Sequence, residues 1–180
     1  MREVTTTKIV YTWDELSEAA KDHAREEYNR FLWESGSAAE SMELIWENML
    51  TEAGWEDLSD LTYSLYQQGG YPAWSGTLRG FTHDGHTYTI TTSNGRRDTS
   101  VEVEDEDGTD SDTYYGSPEW PAFLARITAA EQAARDHVHS LSTDLWSAFQ
   151  DEDNYMTNDE QMAETSEANG YEYDEDGNLA

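Results

Sequence analysis

The chain has 180 residues, enough for one domain with a substantial core and short for two. It contains no cysteine, which removes disulfides, thiolate catalysis and Cys-ligated zinc or iron–sulfur sites. Lys+Arg 10 against Asp+Glu 39 give a formal net charge of −29, which argues against direct binding to nucleic acid or to an anionic membrane.

No basic segment followed by an apolar run opens the chain, and no stretch of about twenty apolar residues occurs, so a soluble, cytoplasmic protein is expected. Three explanations of the acidity compete. Duplex DNA carries about one negative charge per 1.7 Å of axis, so a carboxylate-dense surface can stand where DNA stands, in the cationic groove of a DNA-binding protein. Adaptation to high salt is the second, and Lys8 and Lys21 are the only lysines. The third is a poorly ordered acidic tail, since no Lys or Arg follows Arg135. An aromatic content of 12% argues that most of the chain folds.

Val4 to Tyr11 is rich in β-branched residues and predicts a loosely alternating edge strand. Ser17 is a suitable N-cap for a helix whose stripe runs through Ala20, Ala24, Tyr28, Phe31 and Leu32 and stops at Gly36. A second helix starts near Ser37. Met42, Ile45, Trp46, Met49, Leu50 and Ala53 follow core spacing, and Gly54 is its stop. Leu61 to Tyr66 alternates and predicts a half-buried strand, which the Gly-rich break Gln67 to Ser75 separates from the return Gly76 to Phe81. The break carries Tyr71 and Trp74, two large amphipathic rings that form either a contact surface or a lid folded back over the core.

Asp84-Gly85 and Asn94-Gly95 are hairpin signals, giving an antiparallel meander through Thr87 to Thr91 and Thr99 to Val103. Its far end runs into Glu104-Asp105-Glu106-Asp107, then Asp110 and Asp112, expected as a solvated loop. Ser117-Pro118 opens the longest helix, with a stripe of Leu124, Ile127, Glu131, Ala134, Val138, Leu141, Leu145 and Ala148. Thr157 to Glu160 reads as a capping box for a short helix ended by Asn169-Gly170, and Tyr171 to Tyr173 as a short strand. The fold class expected is α+β: an antiparallel sheet of four to six strands against helices near 17 to 34, 37 to 53 and 118 to 150, in one domain over 1–180.

Trp13 to Lys21, Tyr63-Ser64-Leu65 running into a Gln-Gly loop, and Glu167 to Gly177 together resemble a family of small phage and prophage proteins, some loosely described as antitoxins. The three motifs fall in the right order at both ends and in the middle of the chain. Where that family has Gln-Gly-Asp-Gly, this chain has Gln68-Gly69-Gly70-Tyr71, so no role of that aspartate carries over. The resemblance implies a viral accessory protein and no defined activity.

Chemistry-bearing motifs are scarce. Counted as calcium loops, the glycines Gly108 and Gly177 both fail: the first has Val103 at position one and Tyr114 at position twelve, and after the second the chain ends too early. His83 and His86 flank a turn, while His137 and His139 lie on different faces of a helix. No phosphate-binding, dinucleotide or nucleophile-elbow motif occurs, so no catalytic residue, metal or cofactor is expected. The function expected from charge and resemblance together is inhibition of a host defence or nucleic-acid-handling complex by DNA mimicry, of the anti-CRISPR or anti-restriction type. The partner would be a host protein with a cationic groove, met by a monomer or homodimer. Its candidate contacts are Glu102, Glu104, Asp105, Glu106, Asp107, Asp110 and Asp112, with Tyr71 and Trp74 on the aromatic loop. The alternative is an antitoxin-like module that binds through loop 67–75, its acidity serving solubility or salt adaptation.

Overall fold

A computed structural model describes residues 8–65, 71–94, 99–106 and 115–180. A 3₁₀ turn at Trp13–Glu15 precedes helices α1 (Glu18–Ser35) and α2 (Ser37–Glu52). Strands β1 (Trp55–Thr62), β2 (Ala73–His83), β3 (His86–Asn94) and β4 (Thr99–Asp105) follow, then the long helix α3 (Trp120–Met156) and the short α4 (Asp159–Asn169). The class is α+β, with one antiparallel sheet in the order β1-β2-β3-β4. No described helix is long and apolar enough to cross a membrane. The chain gathers into two compact units, one of Met1–Met42 with Gln150–Ala180 and one of Glu43–Phe149.

In the unit Glu43–Phe149 the sheet buries one face. Trp74, Gly76 and Leu78 of β2, Tyr88, Ile90 and Thr92 of β3 and Val101 of β4 point into it, each at every second residue as the pleat requires. The Asp84-Gly85 turn joins β2 to β3 with both residues at positive φ, 48° and 78°, matching the twist of the strands. α3 lies on this buried face: the Ser142 hydroxyl donates to the Pro72 carbonyl, and Phe149 meets Tyr63 with centroids 4.9 Å apart. Trp46 and Leu50 of α2 are buried one turn apart.

Strand β1 sits earlier than Leu61 to Tyr66, where alternation placed it. Its anchor is Trp55, edge-on to Trp74 at 5.6 Å. Two irregularities in its pairing with β2 interrupt the alternation, and Asp57 and Asp60 take positive φ of 53° and 56° there. Tyr63 and Leu65 therefore lie beyond the strand. The α3 stripe is also phased differently from expectation. Phe123, Ala130, Ala134, Val138, Ser142, Leu145 and Phe149 are buried, whereas Leu124 is 43% exposed.

The other unit is built on a cluster of Trp13, Leu16, Ala20, Ala24, Met162 and Tyr173. α1 starts as expected, the Ser17 side chain accepting from the Ala20 amide, and ends at Gly36 in the left-handed region. The cap of α4 is Asn158, whose side chain accepts from the Gln161 amide at 2.8 Å, in place of a Thr157 capping box. Thr157 instead donates to the carbonyl of Asp153. At the 3₁₀ turn the Glu15 carboxylate accepts from both the amide and the hydroxyl of Thr12, while the Glu15 amide donates to the Thr12 carbonyl. Where a C-terminal strand is expected, Tyr173 alone makes bridges, to Tyr11 and to Leu179. Residues 1–7, the first part of the expected N-terminal strand, lie outside the described residues.

Candidate acidic partner-binding surface

The outward face of the sheet is polar throughout its centre. Register aligns Glu56 with Thr77, Thr77 with Thr91, and Thr91 with Glu102, so a single row crosses all four strands. The neighbouring row pairs Thr89 with Glu104. Pleating makes this the face opposite Trp55, Leu78, Ile90 and Val103, which occupy the alternate register positions. Threonine suits the positions because its branched Cβ fits a strand while its hydroxyl stays solvated.

The acids of β4 divide by the same alternation. Glu102, Glu104 and Glu106 are exposed, whereas the Asp105 side chain turns inward and is 3% exposed. There it meets Arg126 of α3 at 2.7 Å, and the same guanidinium donates to Nδ1 of His86 at 2.7 Å. Accepting from arginine requires that His86 carry its proton on Nε2. Asp105 is thus a structural partner of α3 and not part of a continuous outward acidic loop, which corrects the expectation for the 104–107 run. Asp107, Asp110 and Asp112 lie outside the described residues.

Glu106 is fixed in place. Its carboxylate accepts from the Thr89 hydroxyl at 2.6 Å and from the Gly80 amide at 2.9 Å. The Thr89 bond first, then the Gly80 amide, hold its pKa below the usual carboxylate range against a smaller desolvation effect. It remains ionised in any neutral solution. Arg79 adds one cation near this face, 3.5 Å from Glu56 with both side chains largely exposed. Such a pair is worth about 0–1 kcal/mol and leaves Glu56 available.

The aromatic loop splits. Trp74 is fully buried on β2 against Trp55, so its indole forms core and not an exposed contact. The reason is register: Trp74 shares its face with Gly76 and Leu78. Tyr71 remains 44% exposed, its ring 5.8 Å from both His139 and Trp146 of α3. Glu56 joins the acidic row although the sequence offers no signal for it, because the limits of β1 are hidden by its irregular pairing.

Among the described residues no group of three or more His, Cys, Asp or Glu stands close enough to hold a metal ion. In the other unit, Asp174 has its carboxylate occupied by its own turn, accepting from the Asp176 amide and from the amide and side chain of Asn178. Comparison with protein-family models, curated proteins and solved structures found no match to this chain.

Proposed function

We propose that this is a non-enzymatic, phage-encoded inhibitor that acts in the host cytoplasm by offering an acidic sheet face to the cationic groove of a nucleic-acid-binding host complex. The observation that carries the proposal is the outward set Glu56, Glu102, Glu104 and Glu106, spread over β1, β4 and the turn after it on a hydrogen-bonded sheet, with the Glu106 carboxylate held by Thr89 and Gly80. The sheet matters because a backbone already paired across its strands loses little freedom on binding.

Spacing limits what one strand can do. Alternate residues on a strand are about 6.8 Å apart, so β4 alone offers roughly one charge where duplex DNA offers about four. The mimicry therefore requires the width of the sheet, and Glu56 at its far edge is as much part of the surface as the β4 acids. Replacing Glu56, Glu102 and Glu104 together by Gln should weaken the partner complex at low salt by about tenfold, roughly 1.4 kcal/mol. Most of that loss should appear in the association rate, with a shallower salt dependence. An unchanged affinity and salt slope would remove the proposal.

Tyr71 supports a second reading, an antitoxin-like module bound through apolar contact. Its ring is exposed and buttressed by His139 and Trp146. Tyr71→Ala would then abolish the complex that the Gln variant leaves intact.

A further inference from the structure

The unit containing both chain ends has a pocket of about 280 Å³ between α1 and the C-terminal segment. It is lined by Tyr28, Phe31, Tyr171 and Tyr173, together with the buried Met162 and with Glu27. Leu179 also lines it. No Lys, Arg or His lines it. The volume falls just below the usual range for ligand pockets, about 300–1,000 Å³, so it suits a head group better than an extended molecule.

The rings are arranged before any ligand arrives. Tyr28 stacks on Phe31 with centroids 6.3 Å apart. The Tyr173 hydroxyl is bonded to the Ser166 hydroxyl at 2.7 Å, which fixes that ring. Gly177 lets the C-terminal segment approach α1 closely, because a Cβ there would overlap the Ala20 carbonyl. Phe31, although 57% exposed, is held beside the pocket by its own helix.

Four aromatic residues and one carboxylate in the lining favour a cation, since aromatic π-clouds and Glu27 are both negative. Glu27 is shared with Arg30 at 2.8 Å, an exposed pair that gives way at little cost. The same unit already places cations over an indole, with Lys21 at 5.7 Å and Arg25 at 5.6 Å from the Trp13 ring. A primary ammonium needs three hydrogen-bond acceptors, and the walls are mainly carbon. We infer that this pocket binds a quaternary ammonium group, with the rings enclosing its methyl groups and Glu27 balancing its charge. The inference is independent of the sheet-face proposal.

Titration of the full-length protein with choline, followed by amide NMR, tests it. Saturable shifts should appear at Tyr171, Gly177 and Asn178. The uncharged isostere 3,3-dimethylbutan-1-ol should bind at least about tenfold more weakly, and Phe31→Leu should remove most of that preference without affecting the fold. A parallel titration with N-acetyl-trimethyl-lysine methylamide and its unmethylated form distinguishes a methylated side chain from a choline head group. Whichever quaternary probe binds tighter identifies the source, and the unmethylated lysine should bind worst. Equal affinity for choline and the alcohol would overturn the inference, as would a Phe31→Leu protein that keeps the preference. Lack of saturation by either quaternary probe in the millimolar range would do so too.

Discussion

Asp105 is the one described β4 acid whose side chain turns into the protein, and its cost is met by Arg126, 2.7 Å away. Removing the cation from a buried pair is expensive because the carboxylate stays behind in a poor solvent. Arg126→Met should cost about 2–4 kcal/mol in chemical denaturation, somewhat under the usual range of about 3–5 because Arg126 is itself 20% exposed. Arg126→Met with Asp105→Leu should recover much of the loss; a double variant as unstable as the single one would contradict the assignment. His137 supplies a pH dependence. Burial beside Phe81, at 5.8 Å, lowers its pKa from the ordinary 6.5. As pH falls, the unfolded chain takes up the proton first, so the contribution is complete above about 6.5 and is lost as pH falls toward the folded value. Wild type should lose more stability than His137→Leu between about pH 7.5 and 5.5. Equal losses would mean that His137 titrates as freely in the folded state as in the unfolded one.

The C-terminal segment depends on one backbone approach. Gly177 has φ of +91°, and a Cβ there would run into the Ala20 carbonyl. Gly177→Ala should therefore release the segment, costing about 1–3 kcal/mol locally. Faster amide exchange at Tyr11 and Tyr173, which exchange hydrogen bonds of 2.8 and 2.9 Å, would report it, with the β2–β3 amides unchanged. Unaltered exchange at those two amides would show that the segment is held some other way. How far each element could be read from sequence follows local chemistry. α1 and α2 were legible because Ser17, Gly36 and Gly54 mark their ends and the Met42–Trp46–Leu50 stripe contains no polar interruption. α3 was legible in place, but it runs on to Met156, past the 150 expected, and its buried face is phased differently from the expected stripe. Its buried face contains Arg126 and Ser142, residues that a search for apolar periodicity passes over in favour of Leu124 and Leu141. β1 was not legible, since Asp57 and Asp60 in left-handed conformations break the period of two. The alternation that points Glu102 and Glu104 outward also turns Asp105 inward, yet the run of acids disguised it.

For the whole molecule, a net charge of −29 has two separable consequences. Self-repulsion destabilises the folded chain, and screening relieves it over a Debye length of about 10 Å at 0.1 M salt and about 3 Å at 1 M. If the charge serves recognition, the protein should be folded in dilute buffer and gain most of its salt-dependent stability before about 0.5 M. A midpoint that keeps climbing steeply through molar salt would indicate salt adaptation instead. The same screening weakens a complex made through the sheet face, so stability and affinity should move in opposite directions as salt is added.

Competition with DNA is the most direct measurement of the central claim. The partner complex would be recovered from host lysate on the tagged protein, then challenged with duplex DNA at fixed, low salt. Mimicry predicts that saturating DNA displaces the partner, that the Glu56, Glu102 and Glu104 to Gln variant is displaced at lower DNA concentration, and that added salt dissociates both. A complex that withstands a saturating excess of DNA and persists unchanged at high salt would contradict it.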